Sequence, residues 1–287
     1  MENQGAPRGT HGSGHPVVTL FTDFGHQDPF VGIMKGVILS LCPTAAVVDL
    51  CHETAAYDIL GGSFLLLSAV RFFPAGTIHV GVVDPGVGGP RRPILAQIDD
   101  QLFVAPDNGL LSYPMASGTV RAVRVIAARE YLLRQQSATF HGRDVFAPVA
   151  GHLARGVPPE RFGPEIVDPV RLPIPRPRRD PSGRLVGEIV WIDHFGNCVT
   201  NIPGEDLEAF AAGQTHRLRA VLDGREVGPV VQFFAEVAPG GGGAVIGSTD
   251  HLELFINQGN LARKWGVGTG ASVIVDFGHP AGTRISD

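Results

Sequence analysis

Short apolar runs alternate with longer segments of helical spacing over the first half of the chain. Apolar residues dominate positions 17–22, 46–50 and 77–83, whereas 29–41 and 57–72 carry them at helical spacing. Runs of the first kind predict buried strands, and segments of the second kind predict helices. Strands and helices that alternate with short connections imply right-handed crossovers and a parallel sheet covered on both faces. The pattern therefore predicts an α/β fold for this region.

Local patterns extend this organisation along the chain. Residues 93–98 and 101–105, joined at Asp99-Asp100, predict a β-hairpin added to the sheet. Residues 172–185 have the sequence LPIPRPRRDPSGRL, whose prolines favour extended, exposed chain, although its arginines could also form an anion site. The expected organisation is a disordered tail at 1–16, an α/β domain at 17–171, a linker at 172–185 and a second domain at 186–287.

Short apolar runs separated by turn signals follow the linker. Asp223-Gly224 and the glycine run at 240–243 are two of these signals. We predict strands at 187–193, 198–202, 216–222, 230–234, 244–247 and 272–277. Many short strands with frequent turns are typical of a small β-barrel or sandwich, so the second domain is expected to be all-β.

Charge and composition narrow the function classes. A formal net charge of −5 provides no basic field, which argues against sequence-independent nucleic-acid binding and against attachment to anionic membranes. The apolar runs are too short to cross a bilayer, and the polar stretch from Met1 to Pro16 does not predict a signal peptide. Cys42, Cys51 and Cys198 form no CxxC pair, so we expect a reducing cytoplasm and no zinc ribbon.

A candidate site begins where the third predicted strand ends, in the sequence GVVDPGVGGPRR at 81–92. Side chains at the carboxyl end of such a strand face the crevice where α/β proteins bind ligands. Asp84 and Arg91 are seven residues apart, so a turn at the intervening glycines could bring them into one hydrogen-bonded pair. The alternative is a structural turn with a surface ion pair, because glycine and proline clusters are first of all turn signals.

Two further segments place polar side chains at the same sheet edge. Asp23 follows the first strand, and its carboxylate is placed to accept hydrogen bonds from two vicinal hydroxyls of a ribose. Asp28 precedes Pro29, so it is either a second ligand contact or the N-cap of the first helix with proline at its first position. His141 lies at a predicted strand-to-helix junction, level with Asp84. It could exchange a proton near neutrality there, although a lone histidine beside glycine is more often structural.

Polar groups also cluster at two strand ends of the second domain. Phe195 could stack on a base while Asn197 binds its polar edge, and Asp193 adds a carboxylate; the structural alternative is a β-turn. A loop with Ser248 and Glu253 combines a hydroxyl and a carboxylate before a short apolar element. The chain contains no Walker lysine motif, GxGxxG fingerprint, HExxH or GxSxG motif.

Six ordered blocks of sequence resemble one family. They are TDFG-x-x-D-x-F-V-G-x-x-K-G from Thr22, VVDPGVGGPRR from Val82, APDNGLLS from Ala105, FHGRDVFAP from Phe140, IDHFGNCVTNI from Ile192 and GSTDHLELFINQG from Gly247. Through these blocks, the chain between residues 17 and 277 is similar to the S-adenosylmethionine hydroxide adenosyltransferases. These enzymes are related to fluorinating and chlorinating enzymes.

The resemblance implies an α/β N-terminal domain with a mainly parallel sheet, an all-β C-terminal barrel domain, and a homotrimer whose ligand lies between neighbouring subunits. The family's catalytic set falls on Asp84, Arg91 and His141. The substrate-binding positions that it implies are Asp23, Asp28, Phe30, Asn108, Asp193, Phe195, Asn197, Ser248, Glu253 and Ile256. Within this set the ribose falls to Asp23, the base to Asp193, Phe195 and Asn197, and the methionine end to Asp193, Ser248 and Glu253.

The implied reaction is hydrolysis of S-adenosyl-L-methionine to adenosine and L-methionine, with no metal and no cofactor. Halogenating relatives have other residues at the positions of Asp84 and His141 and an extra loop that this chain lacks, which favours water over halide. Two alternatives stay open. One is a protein that binds adenosylmethionine or adenosine without turnover. The other is a metal-dependent phosphohydrolase, with the ligands Asp23, Asp28, Asp84 and His141 and with Arg91 and Arg92 on phosphate.

Overall fold

The computed structural model describes residues 15–278, which form two compact units divided between Pro173 and Ile174. The tail predicted at 1–16 lies outside the described residues except for its last two. Residues 279–287, which the prediction assigned to the second domain, lie outside them as well. Over the described chain, no helix is long and apolar enough to cross a membrane.

The N-terminal unit alternates strands and helices as predicted. Its strands are β1 (Val17–Thr22), β2 (Ala46–Cys51), β3 (Ile78–Val82), β4 (Pro93–Ile98), β5 (Gln101–Pro106) and β6 (Val120–Val125). Its α-helices are α1 (Phe30–Leu41), α2 (Ile59–Val70), α3 (Ser112–Ser117) and α4 (Ala147–Ala154). The spatial strand order is β2-β1-β3-β5-β4-β6. The pairs β1–β2, β1–β3 and β3–β5 are parallel, and β4 pairs antiparallel with β5 and β6, so a mainly parallel sheet is confirmed.

Both faces of this sheet are buried. Leu20 of β1 belongs to one apolar cluster with Met34 of α1, whereas the next residue, Phe21, belongs to a second cluster with Leu66 of α2. Successive residues of a strand point to opposite faces, so these two clusters lie on the two sides of the sheet. The carboxyl ends of the parallel strands stay open at one edge, and this is where the candidate residues of the unit follow their strands.

The C-terminal unit is built on antiparallel strands. They are β7 (Arg178–Arg179), β8 (Leu185–Ile192), β9 (Cys198–Pro203), β10 (Leu218–Leu222), β11 (Arg225–Pro229), β12 (Gly242–Ile246), β13 (His251–Ile256) and β14 (Ser272–Phe277). Two short helices are α5 (Gly204–Ala211) and α6 (Leu261–Trp265). The main strand order is β11-β10-β14-β8-β9-β13-β12, and β7, formed by two residues of the predicted linker, pairs with β8. A bridge between Val230 and Ala244 links the two ends of this order, so the sheet nearly closes into the predicted barrel.

The strand predicted at 230–234 is wrong. The hairpin between β10 and β11 turns at Asp223 and Gly224, both with positive φ, so β11 begins directly afterwards, at Arg225. The chain bends after β11 and enters a 3₁₀ turn at Phe234–Glu236. The apolar run therefore leaves the sheet.

The strand predicted before His141 is also wrong, because a loop leads to this residue. His141 precedes a π-helical turn at Gly142–Phe146, which continues into α4. A π-helical turn is wider than an α-helical one and is often found at functional sites.

Candidate active site

Asp84 and Arg91 form a buried ion pair just beyond the end of β3. The Arg91 Nε donates to both carboxylate oxygens of Asp84 at 3.0 Å, and its Nη2 donates to Oδ2 as well. The two side chains are only 4 % and 9 % exposed, so this is not the surface ion pair that the sequence left as an alternative. The guanidinium also lies 5.4 Å from the ring centre of Phe146. The pair is held in one orientation.

The glycines between these two residues fold the chain back on itself. The amide of Val87 donates to the Asp84 carbonyl, and the amide of Gly89 donates to that of Gly86. Gly88 has a φ of +75°, which favours glycine, and a methyl group there would overlap the Ala138 carbonyl oxygen. The turn therefore packs directly against the loop that precedes His141.

His141 completes a three-residue network through Arg91. The Nδ1 atom of its ring lies 2.8 Å from the Arg91 Nη2. A guanidinium only donates, so Nδ1 must be the acceptor, and the ring proton of neutral His141 must lie on Nε2. Burial lowers the pKa of His141 and the positive charge of Arg91 lowers it further, against the opposite effects of Asp84 and Asp144. The imidazole is therefore held neutral, with an N–H available to donate.

Asn108 fixes the end of β3. Its Nδ2 donates to the Val83 carbonyl at 2.8 Å, and its Oδ1 accepts from the Leu110 amide at 3.1 Å. Val83 directly precedes Asp84, so the Asn108 amide group helps to fix the backbone position from which the Asp84 carboxylate extends.

Asp23 lies at the end of β1, as predicted, and is held by a residue that the sequence did not point to. Its Oδ2 accepts from the Tyr57 amide at 3.0 Å. Tyr57 has a φ of +68°, unusual for a bulky residue, and its side chain is 71 % exposed. Strain of this kind is typical of functional sites, and no pattern in the sequence predicts it.

Asp28 and Phe30 lie at the start of α1. The helix begins at Phe30 with Pro29 as its N-cap residue and without a side-chain cap, so the alternative that Asp28 caps this helix is wrong. Asp28 is exposed. The Phe30 ring makes edge contacts with Phe140, at 5.2 Å between ring centres, and with Phe24, at 5.9 Å. These aromatic contacts link the start of α1 to the residue before His141.

In the C-terminal unit, Asp193, Asn197 and Glu253 form a second polar cluster. The Asn197 amide and Nδ2 donate to the two oxygens of Asp193 at 2.8 and 3.0 Å, within a turn that has Gly196 at a φ of +85°. The β-turn alternative is therefore part of the same structure. Burial and the charge of Asp193 raise the pKa of Glu253, although a bond from Asn197 partly opposes this. Ser248 lies in the exposed loop before β13.

A cleft of about 660 Å³ opens beside this cluster. Three predicted residues, Phe195, Asn197 and Ile256, line it. The other lining residues, which no sequence pattern pointed to, are His194, Phe234, Asn257, Gln258, Gly259, Asn260 and Arg263. The exposed rings of Phe195 and Phe234 and the adjacent amides suit a flat heteroaromatic group.

Arg92 faces away from the network that Arg91 builds. Its Nε donates to Asp107 at 2.8 Å, and its two terminal nitrogens donate to the side chain and carbonyl of Asp168. Both arginines are thus engaged by carboxylates of the same unit. Between residues 15 and 278, no three His, Cys, Asp or Glu side chains are grouped so as to hold a metal ion.

Comparisons with known proteins agree over most of the chain. The chain is 39 % identical to the (R)-S-adenosyl-L-methionine hydrolase of Salinispora tropica, with 92 % of this chain and 98 % of the relative covered. It is 30 % identical to the fluorinase of Nocardia brasiliensis, covering 92 % and 97 %. The crystal structure of an uncharacterised conserved protein from Thermotoga maritima matches with a TM-score of 0.85 at 33 % identity, covering 90 % and 99 %.

Two family models cover the two units separately. The model described as the SAM hydroxide adenosyltransferase N-terminal domain matches residues 18–163, and that of the C-terminal domain matches residues 187–274. The chain therefore belongs to the SAM hydroxide adenosyltransferase family.

Proposed function

We propose that this protein hydrolyses S-adenosyl-L-methionine to adenosine and L-methionine. The observation that carries the proposal is the buried bridge that Arg91 makes between Asp84 and His141. Relatives that are 35–39 % identical are named as hydrolases of this substrate, which supports the same reaction class.

The leaving group of this reaction needs no assistance from the protein. Water attacks the 5′-carbon of the ribose, a C–O bond forms, and the C–S bond breaks with its electron pair going to sulfur. The sulfonium leaves as a neutral thioether and needs no general acid, while the attacking water loses one proton. Because neutral water is a weak nucleophile and a very weak acid, the protein must orient it and assist the loss of that proton.

We assign the orientation of this water to Asp84 and His141. The carboxylate of Asp84 retains lone pairs that accept from a water O–H, and the His141 Nε2–H donates to the water oxygen. Arg91 fixes both partners. Orientation of reacting groups is worth roughly 7–11 kcal/mol in well-placed systems, whereas general-base assistance adds ~10²–10⁴-fold. Positioning is therefore the larger contribution.

Substrate binding divides by chemistry. We assign the ribose hydroxyls to Asp23, with Asp28 and Phe30 nearby in sequence. The adenine suits the cleft with Phe195, Asn197 and Ile256. The ammonium of the methionine end suits Asp193 and Glu253, with Ser248 as a further hydrogen-bonding group. Two carboxylates near a cationic substrate also offset its charge.

We further propose that the substrate is the (R) epimer at sulfur, because the hydrolases named above act on that form. The test is to offer each purified epimer separately. Faster consumption of the (R) form is expected, and a preference for the (S) form would contradict this assignment.

The proposed assembly is a cytoplasmic homotrimer with its ligand between neighbouring subunits, and it needs no metal or cofactor. Exposed apolar side chains on α1 and the edge strand β2, namely Phe30, Ile33, Leu39 and Val48, support a covered surface. The test co-expresses subunits with Asp84→Asn and subunits with Asp193→Ala. Recovered activity is expected only if one subunit completes the site of another, and an inactive mixed trimer contradicts the shared site.

The central test is incubation with S-adenosyl-L-methionine and chromatography of adenosine and methionine. Asp84→Asn and His141→Ala should each reduce turnover roughly 10²-fold or more, because orientation of the water is lost. Full turnover in both variants would contradict the mechanism. Binding without product would favour the binding-protein alternative, and loss of activity with a chelator, restored by metal, would favour the phosphohydrolase.

A further inference from the structure

Asp144 is a fully buried carboxylate that the proposed reaction does not use. Its Oδ1 accepts from the Arg143 Nε at 2.6 Å, and its Oδ2 accepts from the Arg143 Nη2 at 3.0 Å and from the Ser137 amide at 2.6 Å. A buried carboxylate is costly unless such donors satisfy it. Because Asp144 lies in the π-helical turn after His141, these bonds tie the preceding loop to the start of that helix.

The loop that Asp144 holds is also the loop that packs on the catalytic turn. The Leu133 amide donates to the Asp144 carbonyl and Ser137 binds its side chain, so both arms of the loop are attached to one residue. Between these arms and His141, the Ala138 carbonyl oxygen lies against Gly88. Gly88 belongs to the turn between Asp84 and Arg91, so one continuous set of contacts runs from Asp144 to Arg91.

We infer that Asp144 is a positioning residue that holds His141 in register with Arg91 by fixing the loop at residues 133–140 against Gly88. The bond from Arg91 to the His141 Nδ1 joins residues on two separate chain segments. A small displacement of either segment breaks this bond and frees the imidazole to adopt its other tautomer. The consequence for catalysis rests on the hydrolysis proposed above, but the consequence for the tautomer does not.

The first test is nitrogen NMR of the His141 ring, assigned with a His141→Gln variant because the chain has 11 histidines. The wild type should carry its ring proton on Nε2. Asp144→Asn preserves the size of the side chain but replaces one accepting oxygen with an NH₂ group, which cannot accept the hydrogen bonds made there. The loop should therefore shift, and a mixture of His141 tautomers is expected. A ring that keeps the wild-type tautomer and chemical shifts in folded Asp144→Asn overturns the inference.

A matched control is Asp180→Asn in the other unit. Asp180 also accepts from an arginine Nε, that of Arg184 at 2.8 Å, and from backbone amides, those of Ser182 and Arg184. This variant loses similar bonds, so the His141 signals should stay as in the wild type. A change in them would mean that the Asp144→Asn effect is unspecific, which would also overturn the inference.

A second variant keeps the test open if Asp144→Asn does not fold. Gly88→Ala adds a methyl group that must displace the Ala138 carbonyl. This change separates the loop at residues 133–140 from the turn between Asp84 and Arg91, at an exposed position. It should give the same mixture of His141 tautomers, and an unchanged ring would contradict the inference.

Kinetics provides the second measurement. Misplacement of His141 by up to about 1 Å should lower kcat roughly 10- to 100-fold in Asp144→Asn and Gly88→Ala. KM should change much less, because most of the proposed binding groups lie outside the loop and only Phe30 packs on it, through Phe140. The double variant should lose little more than either single variant, since both break one chain of contacts. A raised KM at constant kcat, or fully additive losses, would contradict positioning. If the wild type does not hydrolyse the substrate, the proposed function fails and the NMR result still decides this inference.

Discussion

Arg91 has a residue-specific role because it binds a carboxylate and an imidazole with one planar group. Its Nε and Nη2 face Asp84, and Nη2 also reaches His141. A lysine carries the same charge but has no fork of fixed donors, so it could not hold both partners in this geometry. The protonation state of His141 therefore depends on the identity of residue 91.

We predict that Arg91→Gln raises the pKa of His141. Arg91 is a positive charge beside the imidazole and lowers this pKa, whereas Asp84 raises it, so loss of the arginine favours the imidazolium. NMR titration of the His141 ring measures the change. The acidic limb of the pH–rate profile should move to higher pH by the same amount.

The control for this prediction is Arg92→Gln. Arg92 is adjacent in sequence, but its donors face Asp107 and Asp168, and it is not among the charges that shift His141. The pKa of His141 should stay at its wild-type value in this variant. Equal shifts in both variants would mean that general electrostatics, rather than the direct contact, sets it.

Part of the site could be predicted from single residues. Asp84 and Arg91 stand at either end of a glycine-rich turn, and a loop of this length can close on itself. The left-handed conformation of Tyr57 could not be predicted, because no local pattern requires it. The lining residues Asn260 and Arg263 were missed for a similar reason, since they enter the cleft only through the tertiary placement of α6.

At the scale of elements, apolar runs bounded by turn residues gave most strands of the sheet in the N-terminal unit. The run at 230–234 failed because Phe233 and Phe234 are exposed instead of filling a core, and Phe234 lines the cleft. The segment before His141 failed because a side-chain bond to Asp144 and a contact with Gly88, which is distant in sequence, fix it as a loop. Both failures lie beside the candidate sites, where ligand geometry competes with local preference.

We predict that Gly224→Ala destabilises the β10–β11 hairpin. Gly224 has a φ of +78°, and a methyl group there would meet no other atom within 4 Å, so backbone strain is the sole structural cost. The left-handed conformation costs alanine about 1–2 kcal/mol relative to glycine. Urea unfolding should show a loss of stability of that size.

Gly268→Ala in the same unit is the matched control. An added methyl group is equally unhindered there, but φ is not positive. Alanine restricts the unfolded chain, so the free energy of unfolding should stay equal or rise by about 0.4–1 kcal/mol. If both variants lose stability equally, the strain argument for Gly224 is wrong.

At the scale of the molecule, the order of patterns predicted an α/β unit followed by an all-β unit, a barrel or a sandwich, and the strand order confirms an α/β unit followed by a nearly closed barrel. The sequence could not predict that β5 would lie beside β3, since that depends on how the hairpin docks on the sheet.

The parallel sheet also buries polar side chains of β1 and β3 between two apolar layers. These side chains must therefore form hydrogen bonds with one another.

His79 is the clearest case, and it makes the stability of the N-terminal unit depend on pH. It is fully buried on β3, its Nδ1 lies 2.7 Å from the Thr19 hydroxyl, and burial lowers its pKa from 6.5 to about 4. The unfolded chain therefore binds a proton at pH values where the folded chain does not. The free energy of unfolding therefore has its full value above pH 6.5, where His79 is neutral in both states, and decreases as the pH falls towards 4. At about 1.36 kcal/mol per pKa unit, the loss is about 3 kcal/mol.

His79→Gln should consequently lose about 3 kcal/mol less than the wild type between pH 7 and pH 4 in urea unfolding. The lowered pKa values of His52, His141 and His152 act in the same direction in both proteins and cancel in this difference. Parallel losses in the two proteins would show that His79 is not the group that titrates.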